Sequence, residues 1–135
     1  AGFGPTDTSD ELAWMARKLV GLRIFNDAAG KMNLSLREVG GGILLVSQFT
    51  LYGNCRKGMR PSFIGSAPPE LARQLYADFA ALLRTEWDTV AEGEFGAVME
   101  VTLTNEGPVT LIVDRAAVLD QAVDGAVDVE GEAIE

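Results

Sequence analysis

Gly42-Ile43-Leu44-Leu45-Val46-Ser47-Gln48-Phe49-Thr50-Leu51 is the stretch whose reading decides the rest of the chain. Its first part, Ile43 to Val46, is an apolar run, which predicts a strand buried on both faces. The run gives way to Ser-Gln-Phe-Thr, a cluster of polar groups at the end of a buried strand. Burying such groups costs free energy unless something bonds to them. Two readings are open. The strand end is a ligand site built from hydroxyl, amide and backbone N–H groups, or the strand simply emerges into a turn at Gly53-Asn54.

Upstream, Thr8-Ser9-Asp10-Glu11 has the pattern of a capping box and predicts a helix start. Leu12, Met15, Ala16, Leu19 and Val20 then share one helical face, and Gly21 closes the helix. Leu22-Arg23-Ile24-Phe25 and Lys31 to Leu36 alternate around a turn at residues 26–30, which predicts a hairpin. Downstream, residues 52–69 form a long irregular segment, a type of loop that tends to be functional in compact domains. Phe63 within it is either an aromatic lid or a plug. Pro68-Pro69 opens a second helix, with Leu71, Leu75, Phe79, Leu82 and Leu83 as its buried stripe. Phe95 to Leu103 predicts a strand with one solvated face. Pro108 to Val113 predicts a final strand with proline at its first residue. The isomer of the Gly107-Pro108 bond is not encoded in any local pattern.

The 135 residues suit one domain, with the 47% hydrophobic and 23% charged content of an ordinary globular chain. No apolar run approaches the roughly 20 residues of a membrane span. The first residues lack the basic and apolar regions of a signal peptide. The single cysteine, Cys55, rules out an internal disulfide and fits a reducing, cytoplasmic setting. The net charge is −9, unevenly spread. Residues 1–60 carry eight Lys/Arg against five Asp/Glu, whereas residues 61–135 carry three against fifteen. So acidic a chain is a poor general nucleic-acid binder, because phosphate neutralisation drives that binding. Arg56, Lys57 and Arg60, just past the central strand, are the local exception. They form either a contact for one RNA end or a solvated loop.

The chain has no histidine. That removes Ser-His-Asp and Cys-His catalysis in their usual forms, and the commonest metal ligand. A reaction at this site has to rest on backbone donors, hydroxyls, carboxylates or a group of the substrate. Preorganised N–H groups are able to stabilise an oxyanion without any titratable side chain. Ser47 and Thr50 are the available nucleophiles, but no base stands beside them in the sequence.

Leu45-Val-Ser-Gln-Phe-Thr-Leu51, Arg60-Pro-Ser-Phe63 and Leu103-Thr-Asn-Glu-Gly-Pro-Val-Thr110 together resemble the D-aminoacyl-tRNA deacylase family. Leu22 to Phe25, Gly30 to Leu34 and Phe95-Gly-Ala97 resemble it too, in the same order and spacing, from about Thr6 to Val113. The resemblance implies an α/β (α+β) fold with curved, mostly antiparallel, barrel-like sheets and two main helices. It implies a cytoplasmic homodimer that needs no metal or cofactor. The implied reaction is hydrolysis of the ester joining a D-amino acid, or glycine, to tRNA. Ser47, Gln48, Phe49 and Thr50 would line the catalytic pocket, with N–H groups near Phe49 and Thr50 binding the substrate carbonyl. Gly107 and Pro108, as a cis pair, would enter the partner subunit's site and crowd the position of an L side chain. Phe63 and Asn105 would belong to the substrate-binding and chiral-selection set.

The chain departs from the family at its ends. The family's opening strands have no counterpart before Thr6. Residues 114–135, with seven Asp/Glu and one Arg, follow a deacylase-like domain of residues 1–113. Residues 117–134 resemble the family's opening hairpin, with Val127 to Glu132 as its turn. Circular permutation is one expectation. A truncated start with an unrelated acidic tail is the other. Two further functions stay open beside the deacylase. One is a relative that binds an RNA end or an amino acid without turnover. The other is a hydrolase of a different small ester with Thr50 as nucleophile.

Overall fold

The computed structural model describes residues 1–115. The hairpin reading of residues 117–134 and most of the 114–135 tail lie outside the described residues.

Helix α1 (Ser9–Gly21) begins where the capping box places it. The Thr8 N–H donates to Glu11 Oε2 at 2.9 Å, and the Asp10 N–H donates to Thr8 Oγ1 at 3.3 Å. Two of the N–H groups that a helix start leaves unpaired are thereby satisfied. The chain turns into β1 (Phe25–Asn26) and back along β2 (Met32–Leu34), an antiparallel pair. Asp27 organises the turn, accepting the N–H groups of Ala29 and Lys31. A short helix α2 (Leu36–Val39) follows. Its start repeats the capping device, as Glu38 accepts from both Ser35 N–H and Ser35 Oγ at 2.6 and 2.8 Å. It ends at Gly40, whose φ of 65° is a left-handed cap that favours glycine.

Strand β3 (Ile43–Leu45) is joined to β4 (Val90–Glu92) through α3 (Pro69–Glu86), and the two strands pair in parallel. Ile43 lies beside Val90, Leu44 beside Ala91 and Leu45 beside Glu92. Trp87 Nε1 donates to Gly41 O at 2.8 Å and fastens the end of α3 to the start of β3. The core forms where α1 and α3 pack together. Leu12 and Ala16 meet a buried face of α3 made of Ala72, Leu75, Tyr76, Phe79, Ala80 and Leu83. Phe3 joins it edge-on to Phe79, with ring centroids 6.2 Å apart.

Several expectations are corrected here. The β3 run is not buried on both faces: Leu45 is buried, but Leu44 is 62% exposed. Among the described residues β3 pairs only with β4, so one edge and one face stay open. Leu71 faces solvent rather than the core, and the α3 stripe runs through Ala72 and Tyr76 instead. Residues 95–103 and 108–113 carry no strand among the described residues, because their backbone groups find no ladder partner there. The short β4, not anticipated, precedes them. The two main helices are present, joined by the shorter α2. The sheets are two small two-stranded pairs, one antiparallel and one parallel, and no closed sheet occurs among the described residues.

The capping carboxylates set an acid limit on stability. Hydrogen bonds from Thr8 hold Glu11 below the usual glutamate pKa, and those from Ser35 do the same for Glu38. A depressed carboxylate stabilises the fold fully above its unfolded pKa and loses that contribution as pH falls through the folded value. Urea midpoints measured from about pH 6 down to pH 3 should therefore fall on acidification. The fall should be shallower in a Thr8→Ala/Ser35→Ala double variant. Thr8→Ala alone should cost about 1 kcal/mol at neutral pH, as for other lost N-caps.

Candidate functional site

Beyond Leu45 the chain leaves β3 and lines a cleft of about 650 Å3. Val46, Ser47, Gln48 and Phe49 form one wall. Residues 95–99 form the opposite wall, and Phe63, Ala67 and Ala72 lie between them. Among the described residues no charged side chain lines the cleft, so its lining is apolar surface with a few polar groups.

The wall at residues 46–49 is held from behind. Ala1 pairs with it on both sides: its backbone nitrogen donates to Val46 O at 2.6 Å, and its carbonyl accepts the Gln48 N–H at 2.7 Å. Ala67 N–H donates to Phe3 O at 2.8 Å, tying the same segment to the start of α3. The chain then coils into a 3₁₀ turn (Phe49–Tyr52). Phe49 and Thr50 are its first two residues, and the opening N–H groups of such a turn have no partner within it. Neither N–H has an acceptor among the described residues. Gln48 Nε2 donates to Thr50 Oγ1, so that hydroxyl is already engaged by an amide and not by a base.

Phe63 is half-buried and packs edge-to-face on Phe49, with centroids 5.1 Å apart. Ser66 fixes its backbone, since both Ser66 N–H and Ser66 Oγ donate to Phe63 O. Gly53 makes the approach possible. A Cβ there would stand 3.0 Å from the Phe63 ring and 2.9 Å from Thr50 O. Phe63 thus packs against the cleft wall at Phe49.

The structure brings Ser47, Gln48, Phe49 and Phe63 together at one cleft, with Thr50 a residue beyond its lining. It does not bring Asn105, Gly107 and Pro108 there. They are exposed, and the Gly107-Pro108 bond is cis. Gly107 has φ of 146°, and a Cβ on it would fall 2.7 Å from Val109 N. Arg56, Lys57 and Arg60 are exposed on a loop closed by the Asn54–Ser62 bridge. No group of three metal-ligating side chains occurs among the described residues. Ala1 to Phe3, Ala72, Val98, Met99 and Val101 also line the cleft and escaped the motif reading. They reach it through long-range placement, which leaves no local sequence signal.

The arrangement defines a class: a mixed α/β protein whose histidine-free cleft offers backbone donors beside apolar walls. Residues 1–114 match the D-Tyr-tRNA(Tyr) deacylase family, and the chain belongs to that family. It is 60% identical over 113 residues to the D-aminoacyl-tRNA deacylase of Desulfatibacillum aliphaticivorans, covering 84% of this chain and 77% of that one. It is 56% identical over 117 residues to the D-aminoacyl-tRNA deacylase of Syntrophobacter fumaroxidans, covering 87% and 78%. Among solved structures it resembles a c-Myc DNA unwinding element binding protein, with TM-score 0.80 and 38% identity over 87% of this chain and 80% of that one. A probable eukaryotic D-amino acid tRNA deacylase shares the fold, with TM-score 0.67 and 21% identity over 78% and 77%.

Gly53→Ala tests the wall geometry directly. The added methyl has to displace the Phe63 ring or the Thr50 carbonyl. Thermal unfolding should show a loss of about 1–3 kcal/mol, the usual cost of overpacking. The fluorescence of an environment-sensitive apolar probe bound in the cleft should change with it.

Proposed function

We propose that this chain hydrolyses the ester of D-aminoacyl-tRNA, releasing the free D-amino acid and tRNA as a chirality proofreading step. The observation that carries the reading is the Ser47-Gln48-Phe49 wall, whose cleft opens beside two backbone donors that have no acceptor among the described residues, in a chain of this family. Water attacks the ester carbonyl carbon, the bond from that carbon to the ribose oxygen breaks, and the leaving oxygen takes up a proton. The N–H groups of Phe49 and Thr50 receive the negative charge that develops on the carbonyl oxygen. One donor of this kind typically lowers the barrier by about 3–4 kcal/mol. The neighbouring 2′-hydroxyl of the ribose assists the attacking water, which takes the place of a histidine base. An aminoacyl ester is already labile, so the acceleration required is modest.

The finer parts of the reading concern selection and assembly. The protein acts as a homodimer in the cytoplasm, and Gly107-Pro108 of one subunit enters the cleft of the other. Exposed Val98, Val101, Leu103, Leu111 and Ile112 support a partner surface, because soluble chains rarely leave such a group uncovered. The backbone at Gly107 and Pro108 excludes an L side chain by clash and leaves hydrogen free, so glycyl-tRNA is also a substrate. Asn105 belongs to the same loop. Arg56, Lys57 and Arg60 contact the phosphates of the tRNA end. No helix among the described residues is long and apolar enough to cross a membrane.

Matched D-tyrosyl-, L-tyrosyl- and glycyl-tRNA, incubated with the purified chain, test the reading. The D and glycyl esters should be lost and the L ester spared. Folded protein without turnover would overturn the enzyme and leave binding of an RNA end as the account of the cleft.

Two variants divide the mechanism. Thr50→Ala should retain most of the activity, because the backbone N–H remains. Complete loss would point instead to Thr50 as a covalent nucleophile. Gly107→Ala should lower the D-over-L ratio of kcat/KM by about tenfold or more, since its methyl collides with Val109 N.

A further inference from the structure

The mechanism above makes no use of Tyr76, a buried phenol on α3 that is only 5% exposed. Its hydroxyl lies 3.1 Å from Leu45 O and 3.3 Å from Gly93 O. A phenol has one proton to donate, so the two carbonyls share it. Leu45 O also accepts the Gly93 N–H at 2.8 Å. The last residue of β3 and the residue after β4 are thus joined at one point, with Tyr76 beneath them.

Both chains leading away from that point become cleft walls. Leu45 leads through Val46 and Ser47 to Phe49, and Gly93 leads through Glu94 to Phe95 and Ala97. The Tyr76 ring also supports the second wall directly. Phe95 packs on it at 5.6 Å between centroids, and the Arg73 guanidinium covers Phe95 at 4.8 Å. Ala72, one turn earlier on α3, lines the cleft between the walls. Phenylalanine would fill nearly the same volume in this core. A buried hydroxyl costs free energy to desolvate and is retained only where it is bonded. Here its bonds go to the two strand ends from which the walls start, not to the helix that carries it. Burial raises the phenol pKa, so the group is a proton donor throughout the neutral range.

We infer that Tyr76 is a positioning residue: its hydroxyl sets the spacing of the Val46–Phe49 and Phe95–Met99 walls, and with it the alignment of the ester against the donors of Phe49 and Thr50. The alignment rests on the function proposed above, whereas the spacing of the walls does not.

Tyr76→Phe separates the two. Amide hydrogen exchange followed by NMR should be about tenfold faster at Gly93, Gln48 and Ala97, whose N–H groups are bonded at the bases of the two walls, with the β1–β2 hairpin unchanged. In deacylation of D-tyrosyl-tRNA, kcat should fall roughly tenfold while KM stays within about twofold, the pattern of lost alignment. Leu82→Ala, six residues further along α3 and only partly buried, is the control for simple destabilisation. It should lower Tm at least as much and leave kcat unchanged. Unaltered exchange at both walls, or exchange raised equally in the hairpin, would overturn the clamp. Raised wall exchange with kcat unchanged would overturn the alignment. Inactive wild-type protein would remove the deacylase reading and the alignment with it, and the exchange comparison would still decide the clamp.

Discussion

Burial of one face of α3 is the constraint on which the other elements depend. Two β-strands that run in parallel cannot be joined by a tight turn, so their connection has to cross over the sheet. Here the crossover includes α3, and its buried stripe is the surface on which α1, Phe3 and Leu45 close. A fully buried residue such as Phe79 contributes about 1.5–3 kcal/mol by removal from water. Several such residues on one helix outweigh the small ladder of three paired positions between β3 and β4. The sheet is held by the helix more than by its own hydrogen bonds.

That arrangement decides where chemistry is available. The ends of β3 and β4 lie side by side, and the chain beyond each one diverges to form a wall. Ser47 and Gln48 are therefore placed in the lining of an apolar space, with the exposed Thr50 just beyond it. The backbone of the 3₁₀ turn presents donors whose direction is set by the turn itself. A cleft of this kind needs no ionisable side chain to polarise a carbonyl, which is consistent with a chain that has no histidine at all. Among the described residues no strong base lines it, and under the proposed function the substrate's own hydroxyl takes that part.

The open face beside β3 is the other consequence. Leu44 and Leu51, with Leu111 and Ile112, border an apolar groove of about 780 Å3 between α1 and β3. Asp7, Glu11, Asp114 and Arg115 stand among its lining residues. Exposed apolar surface of this extent has a free-energy cost in water. β3 is paired on one edge alone among the described residues.

The sequence by itself determined the local devices. The capping box at Thr8 and Glu11, the hairpin around Asp27, the proline start of α3 and the polar end of the central strand are each encoded within a few residues. The family was legible as well, because Ser47-Gln-Phe-Thr50, Arg60-Pro-Ser-Phe63 and Asn105-Glu-Gly-Pro108 keep their order along the chain. Tertiary structure alone decided what depends on partners far away in sequence. The alternation of residues 95–103 and 108–113 satisfies a strand pattern, yet a strand also requires a neighbour, and none is paired there among the described residues. Leu44 reads as core but is exposed, because burial depends on which elements pack over it and not on its own neighbours in sequence. The place of Ala1 against Val46 and the clasp of Tyr76 on Leu45 and Gly93 are long-range contacts with no local periodicity. Local patterns set conformation because their energies are local, whereas a cleft is set by which surfaces meet.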